Sequence, residues 1–289
     1  MTMRAARSHG TSINPLKRKK TMKKFIFMAV AGMLALSSCS NDDNDIQDVQ
    51  NAPRQMTFTA GFGDGGQTRA SLSGTSVTFD ANDGISILSK NNTNTQFTTT
   101  AGGASATFSG TAVNDAEFYA VYPYTAGLTL DYLTGVISGI KIPTDQSAAA
   151  SSACGWDPAA AIACATTTDA TLTFHNVCAL LKITNGRGDG CNISVWGTRT
   201  SGGHMSTNYS YETFSLDTSD GSLSGEGQDY VDVHYVPNGK TIYIAIAPGT
   251  YSDFAASWQI ESNYREKTKS SSFTFEAGKI YDLGNTSSW

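Results

Sequence analysis

The clearest fold signal in the sequence is the stretch Met56-Thr57-Phe58-Thr59-Ala60-Gly61-Phe62, where large apolar residues alternate with small or polar ones. Successive side chains of a β-strand point to opposite faces, so this alternation predicts a strand with one buried face. That face would carry the three large apolar side chains together with Ala60. The segment Gly63–Arg69 that follows is predicted to be a loop, because it is rich in Gly and polar residues.

Similar short segments recur along the chain, separated by Gly, Asn and Asp turns. The further predicted strands are Ser76–Phe79, Ile85–Ser89, Ala106–Ser109, Glu117–Tyr124, Gly135–Ile142, Thr171–Thr184, Cys191–Trp196, Tyr209–Leu216, Tyr230–Val236, Thr241–Ala247, Ala255–Ser262 and Ser271–Leu283. About a dozen strands would make an unusually large single sheet. The sequence therefore predicts an all-β fold of two β-sandwiches, 56–170 and 171–289.

The segment Asp145–Ala165 differs, because it is rich in Ala and Ser. We expect a long connection that contains one helical turn at Ala159–Ala163. Asp157 is a suitable cap for this turn and Pro158 suits its first position.

The amino-terminal segment is predicted to be a secretory signal. Lys23-Lys24 precede an apolar run, Phe25–Leu36, whose twelve residues are too few for a membrane span of about 20. Met22 is the expected start and Met1–Thr21 an upstream extension, so residues 1–38 are assigned to extension and signal.

The signal ends in Leu36-Ser37-Ser38-Cys39, which looks like a bacterial lipobox. We therefore expect lipidation of Cys39, because acyl chains hold a protein on a membrane. Residues 39–55 are predicted to form a flexible tether. The acidic start of this tether, Ser40–Asp45, resembles the export signal that sends some lipoproteins to the outer face of the outer membrane.

The charge distribution argues against a nucleic-acid partner. Residues 1–38 contain eight of the 20 Lys and Arg residues and no Asp or Glu, so residues 39–289 carry twelve bases and 25 acids. Such an acidic chain is a poor ligand for nucleic acid, and we expect no nucleic-acid partner.

The sequence motifs do not indicate an enzyme. Gly61–Gly66 satisfies G-x-G-x-x-G, but no helical pattern follows it, as a dinucleotide site requires. The G-x-S-x-G nucleophile elbow is absent, and carboxylates cluster only at Asp42–Asp45 in the tether. We expect no catalytic, cofactor-binding or metal-ligating residues.

Cysteines and His175 have a structural explanation. Cys154, Cys164, Cys178 and His175 match no usual zinc-ligand spacing, and His175 is expected to be a packing residue in an apolar strand. Disulfides are permitted in an exported protein, and Cys154–Cys164 is the preferred pair because it closes a small loop. Four free buried thiols are the alternative.

The tripeptide Arg187-Gly188-Asp189 lies in a Gly-rich segment. Display to an integrin-like receptor is one interpretation. A hairpin turn that needs glycines with positive φ explains the same composition and is preferred.

A set of short sequence fragments, spread over nearly the whole chain after the predicted signal, resembles a known family in the order of its members. The fragments are the lipobox with its acidic leader, Met56–Phe62, Thr68-Arg69-Ala70, Phe79 with Asp83-Gly84-Ile85, Tyr119-Ala120-Val121-Tyr122-Pro123-Tyr124, Ile142-Pro143 with Gln146, Phe174-His175-Asn176 with Ala179-Leu180-Leu181, Ile246-Ala247-Pro248-Gly249, and Ala277-Gly278-Lys279-Ile280-Tyr281. Together they resemble the fimbrillin-like (type V pilin) family of surface lipoproteins.

The resemblance implies two transthyretin-like β-sandwich domains and no catalysis. It also implies a lipidated precursor from which a trypsin-like protease removes the first strand, so that a donor strand from another fimbrial subunit can take its place. The matching bond here is Arg69–Ala70. Arg54 precedes the strand, so cleavage there would leave the strand in place.

Two functions follow from these observations. The first is a structural or tip subunit of a fimbrium on the outer membrane. The second is a monomeric, lipid-anchored adhesin or glycan-binding protein that does not polymerise and that binds a host or bacterial surface ligand, with Tyr209 and Tyr211 as candidates for stacking on sugar rings. Only Gly284–Trp289 follows the last predicted strand, which is short for a donor strand that needs roughly eight to ten extended residues, given usual strand lengths of ~5–10. This favours a tip subunit or a non-polymerising adhesin over a stalk subunit.

Overall fold

The structure is a computed structural model that describes residues 52–63, 71–73, 76–147, 155, 157–160, 162–200, 204–207, 212–268 and 271–289. The predicted extension, signal and most of the predicted tether lie outside these residues. No helix in the described part of the chain is long and apolar enough to cross a membrane.

Strands dominate the described residues, which confirms the all-β class. The strands are β1 (Arg54–Phe62), β2 (Ser71–Ser73), β3 (Ser76–Thr78), β4 (Gly84–Ser89), β5 (Asn92–Thr98), β6 (Ser105–Ala112), β7 (Phe118–Tyr122), β8 (Thr129–Asp131), β9 (Val136–Ile140), β10 (Asp145–Gln146), β11 (Ala163–Thr167), β12 (Thr171–Asn176), β13 (Ala179–Thr184), β14 (Cys191–Arg199), β15 (Phe214–Asp217), β16 (Leu223–Gly225), β17 (Tyr230–Val236), β18 (Thr241–Ile246), β19 (Gly249–Ile260), β20 (Asn263–Thr268), β21 (Phe273–Phe275) and β22 (Ile280–Asn285).

Within the described residues, two short 3₁₀ turns accompany these strands, Pro158–Ala160 and Thr286–Ser288. The first begins at Pro158 and overlaps the predicted helical turn at Ala159 and Ala160. Asp157 caps it as expected, because its Oδ1 accepts a hydrogen bond of 2.9 Å from the backbone N–H of Ala159. Ala163, expected in the same turn, instead begins β11.

Seven strands form one closed sheet in the order β1-β12-β11-β7-β4-β5-β6, with β6 paired back to β1. Alternate residues of these strands point inward and build an aromatic core, as the period of two requires. Phe58, Phe97, Phe108 and Phe174 in this core are almost completely buried. The sheet β16-β15-β9-β8 contributes further buried residues, including Phe214, to the same core.

The remaining strands build a sandwich over a second core. One layer is the sheet β10-β17-β14-β19-β20, in which β21 also pairs with β19. The other layer is the sheet β18-β13-β22. Inward residues from both layers meet in the second core, for example Ile193 and Val195 of β14 with Ile183 of β13. The short strands β2 and β3 pair with each other.

The predicted strand Thr171–Thr184 is two strands. β12 belongs to the closed sheet, whereas β13 begins after Val177 and Cys178 and belongs to the sandwich. The two sets of strands also interleave along the chain, because β10 pairs with β17 of the sandwich and β15 pairs with β9 over the first core. The described residues belong to one compact unit, Asn44–Trp289. A division into two domains stays a prediction.

Candidate functional site

Strand β1 is the candidate functional element, and both of its edges are paired. On one side it runs antiparallel to β6, from Arg54 opposite Ala112 to Gly61 opposite Ser105. On the other side it runs parallel to β12, from Thr59 opposite Thr171 to Phe62 opposite Phe174. If β1 left, two neighbouring strands would lose a hydrogen-bonding partner at once.

The inner face of β1 fills the centre of the aromatic core. Phe58 is 1% exposed and Ala60 is fully buried, whereas the alternating residues Thr57 and Thr59 are exposed. The ring of Phe58 meets Phe97 and Phe118 edge to face, with centroids 5.4 and 5.2 Å apart. The alternation predicted for this stretch is thus confirmed, and its apolar face lies in the core.

Phe62 closes the far end of the same face. It is partly buried and stacks on Phe79 with a centroid distance of 4.9 Å, close to Tyr122 and Phe174. Aromatic pairs of this kind contribute about 0.5–1.5 kcal/mol each beyond the area they bury. The space that β1 occupies, here called the β1 seat, is therefore an aromatic slot between two ladder edges.

The residues predicted for processing lie outside the described part of the chain. These residues are Cys39 for lipidation and Arg69 and Ala70 for cleavage. Gly63 is the last described residue after β1, and the segment 64–70 that holds the predicted cleavage bond begins directly after it. Lipidation and cleavage stay predictions, and so does any role of Tyr209 and Tyr211, which also fall outside.

The described cysteines are buried thiols. No disulfide joins Cys164, Cys178 and Cys191 to one another. Burial raises the pKa of Cys164 to about 11 and that of Cys178 to about 12, so both stay protonated and poorly nucleophilic at neutral pH. Cys154 lies outside the described residues, and its pairing with Cys164 stays a prediction.

His175 is exposed, and its expected role as a buried packing residue is wrong. Along β12 the side chains alternate strictly, so Phe174 and Asn176 point inward while Thr173 and His175 face outward. Treating Thr171–Thr184 as one strand made both faces look apolar. In the described residues His175 belongs to no group with metal-ligand spacing.

One group of side chains with such spacing was missed in the sequence. The carboxylates of Asp145 and Asp232 and the imidazole of His234 place one ligand atom each within 4.8 Å of the others. Nε2 of His234 lies 3.4 Å from Oδ1 of Asp145. Oxygen and imidazole ligands suit several divalent metals. The only local signal was the i, i+2 spacing of Asp232 and His234 on one strand face.

The Arg187-Gly188-Asp189 segment is a turn whose charged side chains make internal contacts. Gly188 has φ of 101° and Gly190 has φ of 74°, which glycine adopts without strain. Arg187 donates hydrogen bonds to the carbonyl oxygens of Thr286 and Ser287, and Oδ1 of Asp189 accepts one from the N–H of Asn238. These contacts support the turn interpretation of this tripeptide.

The amide of Asn185 ties this turn to its surroundings. Its Nδ2 donates to the carbonyls of Gly188 and Val236, and its Oδ1 accepts from Trp258 Nε1 at 3.1 Å. The same oxygen accepts from the backbone N–H of Arg187. A fully buried amide satisfied in this way is a structural centre for the carboxyl-terminal end of the fold.

Comparison with known proteins shows that the fold of this chain is similar to that of a solved structure. No protein-family model matches the chain, and no curated protein matches it. A solved structure from Bacteroides uniformis, named "putative cell adhesion protein", matches with a TM-score of 0.50 at 16% identity, over 80% of this chain and 92% of that one.

Two further solved structures carry the same name. The one from Bacteroides ovatus has a TM-score of 0.43 at 14% identity and covers 71% of this chain and 82% of its own. The one from Bacteroides thetaiotaomicron has a TM-score of 0.40 at 11% identity and covers 72% and 80%. At such identities a match shows the fold alone, here that of the Bacteroides uniformis protein.

Proposed function

We propose that this chain is a non-catalytic adhesion protein of the bacterial surface whose strand β1 is exchanged for a strand of another subunit. Cleavage at Arg69–Ala70 would trigger the exchange. The observation that carries the proposal is the position of β1, paired on both edges and filling the core of a closed sheet. A strand in that position can be replaced only by another strand.

Exchange of β1 follows from the chemistry of its seat. Loss of the strand would uncover the rings around Phe58 and leave backbone groups of β6 and β12 without partners. Unpaired strand edges favour addition of a new strand, whose backbone supplies affinity and whose alternate side chains set the register. While β1 is in place the seat is full, so the precursor is inert.

Placement at the cell surface rests on the amino-terminal signals. Lipidation at Cys39 would anchor the precursor, and the acidic leader would direct it to the outer face of the outer membrane. The name of the Bacteroides uniformis structure, which refers to cell adhesion, agrees with such a location.

An accepting role is favoured over a donating one. Arg187 holds the carbonyls of Thr286 and Ser287, and Trp289 packs against the second core. In this arrangement the last residues are bound to their own subunit. This supports a tip subunit, and the alternative remains a monomeric, lipid-anchored adhesin.

Limited trypsin treatment of the precursor tests the proposal. We expect the first cut after Arg69, seen by mass spectrometry, followed by a shift from monomer to larger species on size exclusion. Arg69→Ala should remove both effects, and Arg54→Ala is the matched control that should remove neither.

A peptide experiment tests the seat itself. The cleaved protein, freed of β1 in mild urea and returned to buffer, should bind a fluorescent peptide of sequence Arg54–Phe62. The same peptide with Phe58→Asp should not bind, because a carboxylate would enter the aromatic slot. Equal binding of the two peptides, or assembly of the Arg69→Ala protein, would overturn strand exchange and leave the monomeric adhesin.

A further inference from the structure

A groove lies on the solvent-facing side of the sheet β10-β17-β14-β19-β20. Ile193, Val195 and Trp258 of this sheet point into the second core, so the alternate residues of the same strands face outward. On that side a cavity of about 620 Å³ is lined by three aromatic rings, three carboxylates and several small residues. This cavity, here called the outer-sheet groove, falls in the volume range of small-molecule sites, about 300–1,000 Å³.

The shape of the outer-sheet groove follows from the size of paired residues. Trp196 of β14 lies opposite Tyr230 of β17 and forms one wall with it. Tyr264 of β20 lines the other side and is 45% exposed. Between these walls, Ser194 of β14 lies opposite Ser257 of β19. Their side chains are small, so the groove is deepest at this point.

The aromatic ring on the edge strand is held in place. The hydroxyl of Tyr264 donates a hydrogen bond to Oε2 of Glu266, two residues further along the same face of β20. A side chain ordered before binding loses less conformational entropy when a ligand arrives.

The carboxylates of the groove are Asp229, Asp232 and Asp253. Oδ1 of Asp229 lies 2.8 Å from Nδ1 of His204, which orients this group. Asp253 has φ of 51°, in the left-handed region, next to the register shift that follows Trp196 in β14. Irregularities of this kind redirect side chains.

We infer that the outer-sheet groove binds a neutral oligosaccharide. Aromatic rings offer flat apolar surfaces for the C–H faces of sugar rings. Carboxylates accept strong hydrogen bonds from sugar hydroxyls, and the hydroxyls of Ser194 and Ser257 both donate and accept. None of the described residues that line the groove is Lys or Arg. Sialylated or sulfated sugars would therefore meet like charges without compensation.

The groove and the β1 seat are separate sites. The groove lies on the sandwich, whereas β1 belongs to the closed sheet. Sugar binding is therefore expected in the intact precursor and does not require strand exchange. The Arg69→Ala precursor is the protein to use, because it keeps β1 in place whatever the fate of the exchange proposal.

A glycan array with neutral, sialylated and sulfated oligosaccharides, followed by calorimetric titration of the strongest neutral binder, tests the inference. We expect neutral sugars to bind. Trp196→Ala and Tyr264→Ala should each raise Kd by about tenfold or more, as loss of a stacking ring does at a binding hot spot. Tyr235→Ala should leave Kd unchanged, since Tyr235 is 80% exposed but does not line the groove.

A variant that keeps the fold separates binding from stability. Asp253→Gly removes a carboxylate from a position whose φ favours glycine, so it should not lower the melting temperature while it weakens sugar binding. Absence of neutral-sugar binding, a preference for acidic sugars, or unchanged binding in Tyr264→Ala and Asp253→Gly would overturn the inference.

Discussion

The first and last described strands, β1 and β22, make a useful comparison. Each of them runs parallel to a neighbour, and these two neighbours, β12 and β13, follow each other in the chain. β1 pairs with β12 and β22 pairs with β13. β1 has a second partner in β6 and buries Phe58 and Ala60 completely. β22 lies at the edge of a three-stranded sheet, and none of its residues is fully buried.

The difference lies in what holds each strand. β1 is held by two ladders and an aromatic core. β22 has one ladder, and polar contacts supply much of the rest: Arg187 binds the turn after it, Lys182 pairs with Asp282, and Lys267 donates to the carbonyl of Leu283. We therefore expect removal of β1 to cost more free energy than release of β22.

The sharpest test of this comparison is one core truncation in each strand. Phe58→Ala should lower the free energy of unfolding by about 3–5 kcal/mol, since it leaves a cavity in a packed aromatic core. Leu283→Ala in β22 should cost only about 1–2 kcal/mol, because Leu283 is partly buried. Urea denaturation followed by tryptophan fluorescence measures both values.

The exposed neighbour Thr57 provides the control for this pair. Thr57→Ala should change the free energy by no more than about 0.5 kcal/mol. A cost for Leu283→Ala equal to that for Phe58→Ala would remove the energetic distinction between the two strands.

A smaller effect is expected from Arg187→Ala, which releases the turn after β22. The hydrogen bonds from this charged donor to the carbonyls of Thr286, Ser287 and Trp289 are lost, so the free energy of unfolding should fall by about 1–3 kcal/mol. Hydrogen exchange should accelerate at the backbone N–H of Trp289, which donates to Thr286, and stay unchanged in β1. Arg265→Ala on the exposed strand β20 is the control. Faster exchange in β1 would show that the two ends are coupled.

The smallest effect concerns the exposed pair Lys182–Asp282, with 2.7 Å between Nζ and Oδ2. Asp282→Asn should cost less than about 1 kcal/mol at pH 7, because water screens the pair. The hydrogen bond from Lys182 lowers the pKa of Asp282. The pair therefore makes its full contribution to stability at a pH above the unfolded-state pKa of Asp282, which is about 4. This contribution disappears as the pH falls through the lowered pKa of the folded state.

Thermal melts at pH 7 and at lower pH, with and without 1 M NaCl, measure this dependence. The difference between wild type and Asp282→Asn should vanish in high salt, where the Debye length is about 3 Å. Glu276→Gln, which leaves the Lys182–Asp282 pair intact, is the matched control. A difference that grows as the pH falls would contradict the assigned direction.

Local chemistry determined a large part of this molecule in advance. The all-β class and the inward face of β1 follow from the alternation of side chains around Phe58, because the period of a strand is set by its own backbone. Likewise, the glycines around Arg187 predicted a turn, and Asp157-Pro158 predicted the start of the short helical turn. The candidate site was predicted as a strand, but its cleavage at Arg69 stays a prediction.

Only the tertiary structure decided which segments come together. The pairing of Thr59 with Thr171 joins residues more than a hundred positions apart, and no local pattern specifies a parallel partner at that distance. The break between β12 and β13 arises because two cores compete for one apolar run. The outer-sheet groove combines Trp196 with Tyr264 from separate strands. Local sterics determine which face of a strand is apolar, but long-range packing determines what that face meets.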